Sequence, residues 1–390
     1  MTPYALVGEV LAPEPLGRAT MVVEGGKILE IVRSPRSADL PRELREVPGL
    51  ICPGFIDLQI NGAFGVDVGP DAEALAELAR ELPKTGTTSF LPTAISWSTE
   101  RYYRFLEALK DASGSPGANI LGAHMEGPFL APARRGAHDP ANLCPVDLGF
   151  VRRLLDSDMV RMMTLAPELP GTKEAIRLLT DGGSVASAGH TNASYEETLQ
   201  AIDAGLSMGT HLYNAMSHFE HRAPNAVGAL LVDDQVRAGI IADGVHVHEG
   251  ALRLAYRQKG PEGLALVTDA MEAAGMPPGE YELSGRKVRL EDGEVRLPDG
   301  TLAGSALTMD RAVSNAVELL RVPIRDAVRM ATQTPAEILG IRDKGRIVPG
   351  ADADLVLLAP SGAVYETIVG GETVYMGSRE DEGLPDSSRS

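Results

Sequence analysis

Five of the eight histidines occur in short polar strings that each follow an apolar run. The strings are GAHMEGPFL, SAGHTNAS, GTHLYNAM and ADGVHVH, and they contain His124, His190, His211, His246 and His248. The first string also carries Glu126, and a fifth string, LVTDAM, carries Asp269. A carboxylate and two imidazoles from different strands can bind Zn²⁺ and leave one position open for water. The pattern therefore indicates metal-assisted hydrolysis.

Each of these residues also has an ordinary structural interpretation. A single histidine at a strand end often caps a carbonyl group or fills a polar gap. Asp269 has the character of a general base, because a carboxylate at the end of an apolar strand is partly desolvated, but it could instead cap a following helix. Arg222, in HFEHRAPNAVGAL, is either an anion-binding residue or a solvated surface arginine. His138, in the loop after Glu126, could join the same site.

The residues that are missing argue for one metal ion instead of two. The seven lysines all lie away from the predicted strand ends, so no lysine is placed to bridge two metals. Where a metal-binding His-x-His might stand, the string PGFIDLQINGAFGVD has Gln59 and Asn61. Neutral amides are poor Zn²⁺ ligands beside imidazole and carboxylate.

Eight apolar runs between about residues 50 and 270 must position these side chains. They alternate with segments of helical periodicity, such as 71–83 and 194–206, the second of which opens as a Ser-x-x-Glu capping box. The predicted strands are 50–57, 87–92, 119–124, 161–166, 184–189, 207–211, 237–242 and 264–269. Eight such units favour an α/β fold, a (β/α)₈ barrel of the TIM type, whose active site lies at the carboxyl ends of the strands.

The two ends of the chain have a different pattern, with alternating apolar residues and hairpin-like glycine pairs. Neither end is large enough for a stable sheet alone, so we expect residues 1–49 and 345–390 to form one small β-sandwich from both termini. Residues 50–344 then form the barrel. A further hairpin is predicted over residues 281–300, after the eighth strand.

The formal net charge of −18 excludes polyanionic surfaces as partners, so we expect no binding to nucleic acid or to acidic membranes. A small anionic substrate stays possible, since one arginine can bind a phosphate group locally. The two cysteines lack CxxC spacing, which favours a reducing cytoplasm. No stretch of about 18 apolar residues occurs, so neither a membrane span nor secretion is predicted.

Seven strings, in one order, resemble those of the N-acetylglucosamine-6-phosphate deacetylase family in the amidohydrolase superfamily. They are PGFIDLQINGAFGVD, GAHMEGPFL, SAGHTNASYEE, GTHLYNAMSHFEHRAPNAVGALL, IADGVHVH, LVTDAM and LAGSALTMDRAV. The likeness covers about residues 50–340, and GRIVPGADADLVLL resembles the superfamily's return into its β-sandwich. Gln59 and Asn61 match the branch that binds a single metal.

The resemblance implies that Glu126, His190 and His211 bind one divalent metal ion, most simply Zn²⁺ although Fe²⁺, Mn²⁺ or Co²⁺ would also fit. It implies that Asp269 is the catalytic acid/base. It further implies substrate contacts from Ala137, His138, Asn214, Ala215, Arg222, Asp243, Gly244, Val245, His246, Leu302, Ala303 and Gly304. In the family the counterpart of Arg222 reaches the sugar phosphate across a dimer interface, so a homodimer is expected. No family role is implied for His124 or His248.

The expected reaction is hydrolysis of the N-acetyl group of an amino-sugar phosphate, with acetate as one product. One alternative is another amidohydrolase activity, such as a cyclic amidase, but most of those enzymes need the His-x-His and the bridging lysine that are absent here. A second alternative is a catalytically inactive barrel that serves as an interaction scaffold. Such a scaffold should have lost part of the set formed by Glu126, His190, His211 and Asp269, and all four are present.

Overall fold

The N-terminal residues form four strands of a mixed sheet beside the barrel. The computed structural model of the protein describes residues 2–11, 15–33 and 41–377. The strands are β1 (Tyr4–Leu11), β2 (Pro15–Glu24), β3 (Lys27–Val32) and β4 (Glu43–Pro53). The turn between β2 and β3 is the pair Gly25 and Gly26, whose φ angles of 58° and 81° suit glycine in a tight hairpin.

Eight parallel strands form the barrel, in the order of the chain, which confirms the predicted (β/α)₈ fold. The strands of this region are β5 (Phe55–Ile60), β6 (Gly62–Ala63), β7 (Val66–Asp67), β8 (Thr87–Ala94), β9 (Asn119–Ile120), β10 (Ala123–Glu126), β11 (Val160–Leu165), β12 (Val185–Ala188), β13 (Met208–Gly209), β14 (Arg237–Ile240) and β15 (Leu264–Leu266). Of these, β6 and β7 form a separate short hairpin, and β9 pairs only with β8. A parallel bridge between Ile60 and Ala270 closes the barrel.

The first predicted strand, 50–57, was wrong in its bounds. Its first half belongs to β4 in the terminal sheet, and the barrel strand β5 runs three residues further, to Ile60. The apolar run is continuous because β4 ends in a buried segment and every residue of β5 is buried, so hydrophobicity alone does not mark the break at Gly54. As a result Asp57 lies inside the barrel, and Gln59 and Asn61 lie at its mouth.

Ten helices in the described part of the chain cover the barrel and connect its strands. They are α1 (Ala72–Glu81), α2 (Thr99–Ala112), α3 (Leu148–Leu155), α4 (Thr172–Asp181), α5 (Tyr195–Asp203), α6 (Asn225–Val232), α7 (Glu249–Gly263), α8 (Met309–Asn315), α9 (Ile324–Ala331) and α10 (Gln333–Ile338). The predicted capping box of α5 is confirmed: Ser194 Oγ accepts from the Glu197 amide at 3.1 Å, and Glu197 Oε2 accepts from the Ser194 amide at 2.8 Å. Among the described residues, no helix is long and apolar enough to cross a membrane.

The segment after the last barrel strand folds back over the barrel mouth. The predicted hairpin at 281–300 is a three-stranded antiparallel sheet made of β16 (Gly279–Leu283), β17 (Arg286–Glu291) and β18 (Glu294–Arg296). Side-chain hydrogen bonds are among the contacts that attach it to the barrel loops. Trp97 Nε1 donates to Ser284 Oγ at 3.1 Å, and the Arg286 guanidinium donates to the Ala137 carbonyl.

The C-terminal strands join the N-terminal ones in a single sheet, which confirms the predicted small β-sandwich from both termini. The strands β19 (Leu355–Leu358), β20 (Val364–Val369) and β21 (Glu372–Met376) extend it in the order β21-β20-β19-β4-β1-β2-β3. Side chains of both termini, such as Leu6 and Leu355, share a core separate from that of the barrel. We propose the division into a barrel domain, predicted over residues 50–344, and the two flanks, with the segment before Gly54 belonging to the terminal sheet. Residues 378–390 lie outside the described residues.

Candidate active site

Four polar side chains from four different strands meet at one end of the barrel. Glu126 is the last residue of β10, and His190, His211 and Asp269 follow β12, β13 and β15. The carboxyl ends of parallel strands lie on one rim, so side chains that follow them converge there. Glu126 and the two histidines are buried, and Asp269 lines the open cavity.

Three of these side chains place lone-pair atoms close to one another. Glu126 Oε1 lies 3.2 Å from His190 Nε2 and 3.1 Å from His211 Nε2, and the two Nε2 atoms are 3.1 Å apart. The other ring nitrogen of His190, Nδ1, is 2.8 Å from the Arg134 carbonyl and must donate to it. In the neutral ring Nε2 of His190 is therefore an unprotonated acceptor. No contact fixes the tautomer of His211, because its Nδ1 has no partner among the described residues, so its Nε2 is free to act as an acceptor as well. A carboxylate oxygen and two such nitrogens around one point fit a metal ion.

His138 lies in the same cluster but has the opposite tautomer. Its Nδ1 accepts a hydrogen bond from the Ser96 backbone amide at 3.1 Å, so the proton of the neutral ring sits on Nε2. Nε2 lies 3.6 Å from Glu126 Oε2, and Glu126, His138 and His190 each offer one atom within 4.8 Å of one another. A nitrogen that carries a proton cannot ligate a metal, so His138 is a hydrogen-bond donor toward the cavity.

The electrostatics of the cluster follow from burial and from close contacts. Burial raises the pKa of Glu126, but the close contacts of this carboxylate with the rings of His138, His190 and His211 outweigh burial and hold that pKa well below its usual range. Burial and repulsion from His190 lower the pKa of His138 to about 4, which keeps this ring neutral. Burial lowers the pKa of His211, but contact with Glu126 raises it more. Burial, with the charge of Glu126, raises the pKa of Asp269 to about 6.

The backbone at three of these positions is in the left-handed region. His190, His211 and Asp269 have φ angles of 50°, 30° and 47°. Residues other than glycine adopt such angles at a cost of roughly 1–3 kcal/mol, and they do so mostly at functional sites. Here neighbouring strands hold the turn at Asp269, whose amide donates to the Gln59 carbonyl at 2.9 Å. The alternative interpretation of Asp269 as a helix cap has no support, because no helix begins within the four residues after it.

Gln59 and Asn61 contact the cluster, although sequence reasoning treated them only as missing metal ligands. Gln59 Nε2 donates to Glu126 Oε1 at 3.0 Å and to Asp269 Oδ1 at 3.2 Å. Asn61 Nδ2 donates to the same Asp269 oxygen at 2.8 Å. Gln59 and Asn61 are two residues apart, on β5 and the segment that continues it. Because alternate residues of a strand point to the same face, this spacing could have indicated that both side chains reach the same site.

Seven of the twelve residues expected to contact a substrate line a cavity above the cluster. The cavity has a volume of about 460 Å³. The seven are Ala137, His138, Asn214, Ala215, His246, Leu302 and Gly304. The lining also includes Arg134 and Arg296, which the sequence did not single out. Arg296 comes from the inserted sheet, whose position over the barrel no local pattern indicated.

The other five expected contacts are placed outside the cavity lining. Asp243 instead holds His246: its Oδ2 lies 2.6 Å from His246 Nδ1, and its Oδ1 accepts from the amides of Val245 and His246 at 2.9 and 2.8 Å. Gly244 and Val245 belong to that turn, and Ala303 is fully buried. Arg222 is exposed in the segment between β13 and α6, away from the cavity of its own chain.

The two histidines without an implied role both have structural partners. His124 was expected at a strand end but lies within β10, where its Nδ1 is 3.0 Å from the Leu58 carbonyl and its Nε2 is 2.7 Å from Thr164 Oγ1. His248 caps helix α7, since its Nδ1 accepts from the Gly250 amide at 3.1 Å. Neither of them lines the cavity.

Comparison with known proteins shows close relatives over most of the chain. An N-acetylglucosamine-6-phosphate deacetylase of Lysinibacillus sphaericus is 35% identical, with 90% of this chain and 91% of that protein aligned. An N-acetylgalactosamine-6-phosphate deacetylase of Escherichia coli is 38% identical, over 83% of this chain and 87% of that protein. The crystal structure of N-acetylglucosamine-6-phosphate deacetylase from Pasteurella multocida superposes with a TM-score of 0.90 at 34% identity, covering 95% of this chain and 99% of that one.

The family assignment follows from these matches and from the fold. The model of the amidohydrolase family matches residues 50–374, which include the whole barrel and most of the C-terminal strands. The barrel with a terminal sheet, and the Glu/His/His cluster at its mouth, agree with that match. The chain belongs to the amidohydrolase family.

Proposed function

We propose that this protein hydrolyses the N-acetyl group of N-acetyl-D-glucosamine 6-phosphate to give D-glucosamine 6-phosphate and acetate. The observation that carries the proposal is Asp269 beside the Glu126, His190 and His211 cluster, at the base of a cavity of about 460 Å³. A carboxylate next to a metal-binding group is what amide hydrolysis requires, and relatives similar over most of the chain carry this activity in their names. The alternative of an inactive scaffold has no support, since all four residues converge.

Glu126, His190 and His211 would hold one divalent metal ion per subunit. When bound, the ion would polarise the acetamide carbonyl and make a water molecule acidic enough to attack at neutral pH. His190 is prepared for this role because the Arg134 carbonyl fixes its tautomer. We propose Zn²⁺ as the ion; the same donors also suit Fe²⁺, Mn²⁺ and Co²⁺.

Asp269 would act as the general base and then as the general acid. Its Oδ1 is held by the amides of Gln59 and Asn61, which leaves Oδ2 to accept the proton of the attacking water. The same oxygen then gives that proton to the nitrogen at C2, because an amine leaves far more readily once it is protonated. His138 would donate its Nε2 proton to the acetyl oxygen, where negative charge develops.

The rest of the cavity would hold the sugar and its phosphate. We propose that Asn214, Ala215 and His246 bind this end of the substrate, with Ala137 and the 302–304 segment against the ring. Arg222 does not line the cavity of its own chain, so we propose a homodimer in which it reaches the phosphate of the neighbouring subunit. If Arg222→Ala leaves the preference for the phosphorylated over the free sugar unchanged, that role is wrong. A cytoplasmic location is proposed from the cysteine pattern and the class of substrate.

A second candidate function is deacetylation of N-acetyl-D-galactosamine 6-phosphate, because one relative with 38% identity bears that name. The two sugars differ only in the configuration at C4. Acetate release should be measured for both substrates, with protein stripped of metal and with protein to which Zn²⁺ has been restored. We expect release only after restoration and a higher kcat/KM for the glucosamine substrate. Activity that does not depend on metal would contradict the proposed mechanism.

A further inference from the structure

Asn61 has one polar atom that the protein itself leaves without a partner. Its Nδ2 donates to Asp269 Oδ1 at 2.8 Å, whereas its Oδ1 is buried and accepts no hydrogen bond from the described residues. The residue is 4% exposed and lines the active-site cavity. A buried acceptor without a donor is costly, and such atoms are uncommon in folded proteins. The position therefore indicates a donor that arrives with the substrate.

The orientation of the Asn61 amide follows from its surroundings. Asp269 in its ionised form offers only acceptor atoms, so the amide nitrogen of Asn61 must face it and the oxygen must point elsewhere. The backbone is held on both sides, because the Asn61 amide donates to the Ala270 carbonyl at 2.7 Å and the Val68 amide donates to the Asn61 carbonyl at 2.9 Å. The side chain thus projects from a rigid segment, which keeps Oδ1 next to the carboxyl group of Asp269.

The chemistry of the reaction identifies the donor that this oxygen would meet. Asp269 must lie near the amide nitrogen of the substrate in order to protonate it, and Asn61 contacts Asp269 directly. We propose that Asn61 Oδ1 accepts a hydrogen bond from the N–H of the acetamido group and so makes the site select amides over the corresponding esters. This inference rests on the proposed function. After the C–N bond breaks, the product amine still carries N–H groups, and the same oxygen can accept a hydrogen bond from one of them.

Gln59 provides a matched control at the same carboxylate. Its Nε2 is shared between Glu126 and Asp269, at 3.0 and 3.2 Å. Gln59 therefore orients Asp269 as Asn61 does, but its oxygen is not among the buried atoms that lack a partner. A change at Gln59 should weaken hydrolysis of every substrate alike, whereas a change at Asn61 should depend on whether the substrate has an N–H.

The test compares the N-acetyl substrate with a matched sugar phosphate that carries an O-acetyl group at C2 and has no N–H. For Asn61→Leu we expect kcat/KM to fall about 10-fold more for the amide than for the ester, because a site built to bind an N–H loses that advantage. Gln59→Leu should lower both values by the same factor. Equal losses for Asn61→Leu on the two substrates would overturn the inference. If the unaltered protein does not hydrolyse the amide at all, the proposed function fails instead.

Binding to protein stripped of metal gives a second measurement that does not require turnover. Calorimetric titration should show that the unaltered protein binds the N-acetyl sugar phosphate more tightly than the O-acetyl one, and that Asn61→Leu removes this difference. Asn61→Ala replaces Asn61→Leu in both experiments if the larger side chain prevents folding. A difference in affinity that persists in the variant counts against the inference.

Discussion

Two clusters of carboxylates in this protein differ in the groups that face them. At the junction of the terminal sheet with the barrel, Lys344 Nζ lies 2.8 Å from Asp352 Oδ2 and 2.6 Å from Asp354 Oδ2. At the barrel mouth, Glu126 and Asp269 contact imidazole rings and side-chain amides, and no lysine or arginine of the described chain pairs with them. The junction cluster, which has a structural role, contains its own cation. The active-site cluster has no such cation, which agrees with a site that takes a cation from solution.

The pKa shifts of the charged groups in the two clusters show the same difference. Burial lowers the pKa of Lys344, but Asp354 and Asp352 raise it more, so the ammonium group stays charged. Burial also raises the pKa of Asp269 to about 6, with Glu126 as the second cause and no lysine to oppose it. In the junction cluster Lys344 and Lys27 face Asp352 and Asp354, whereas the two carboxylates of the site cluster face no lysine or arginine of the described chain. The following predictions test this comparison.

The largest effect is expected for Glu126→Gln, which removes the charged member of the proposed metal-binding group. Its affinity for Zn²⁺ should fall by more than the 10–100-fold that loss of an outer-shell partner typically costs, and acetate release should fall with it. Metal content after dialysis checks the first point. In metal-free protein the stability at neutral pH should also fall, because the depressed pKa of Glu126 means that the folded state favours its ionised form. Unchanged stability would show that the histidine contacts do not stabilise this charge.

Asp269→Asn should abolish most of the turnover without removing the metal. General acid–base groups typically contribute about 10²–10⁴-fold to the rate, and asparagine cannot carry the proton. Metal content measured on the purified variant should stay near one ion per subunit. An active variant would exclude Asp269 as the acid/base, and a variant that lacks metal would make it a ligand instead.

Lys344→Met should destabilise the fold while leaving the active site intact. The change leaves Asp354, whose side chain is only 3% exposed, without the cation that pairs with it. Breaking a buried pair in this way typically costs about 3–5 kcal/mol, which urea unfolding would measure. As a control, Lys84→Met breaks the exposed pair with Glu81 and should cost less than about 1 kcal/mol. Values of kcat/KM at moderate temperature should match those of the unaltered protein.

A smaller effect is expected for Asp67, a buried carboxylate that belongs to neither cluster. Burial raises its pKa to about 7, and its Oδ1 accepts a hydrogen bond from the Ser284 amide at 3.4 Å. Because folding raises this pKa, the folded state binds the proton more tightly, and stability falls as the pH rises from about 4 to about 7. Asp67→Asn is neutral throughout, so its stability relative to the unaltered protein should grow over that range by about 3 kcal/mol.

Urea unfolding of the two proteins at pH 4 and pH 7 measures this change. The direction of the change tests the prediction. If the stability advantage of Asp67→Asn shrinks as the pH rises, the ionised carboxylate is stabilised by its surroundings, as that of Asp352 is.

Much of the fold was predictable, because the patterns that specify it are local. The order of strands and helices, the capping box at Ser194 and the hairpin at Gly25 each depend on residues that are neighbours in the chain. The boundary at Gly54 was missed because the strand before it and the strand after it are both apolar there, although they belong to different sheets. The third strand of the inserted sheet was also missed, since β18 has only three residues.

The candidate site was predictable to the extent that its residues end barrel strands. Glu126, His190, His211 and Asp269 were selected in that way, and the structure brings them together. The contacts of Gln59 and Asn61 were not foreseen, because the spacing of two residues shows a shared face but not what lies opposite. The tautomers of His138 and His190 depend on Ser96 and Arg134, which are distant in sequence.

The amino-acid sequence by itself determined the alternation of strands and helices, the class of barrel and the types of side chain at its mouth, because periodicity and residue chemistry act over a few neighbouring positions. Only the tertiary structure decided which nitrogen of His138 and of His190 is unprotonated and which oxygen of Asp269 is free. It also decided that Asn61 keeps an acceptor without a partner. Hydrogen bonds have a direction and a range of about 3 Å, so these properties exist only once distant strands are brought side by side.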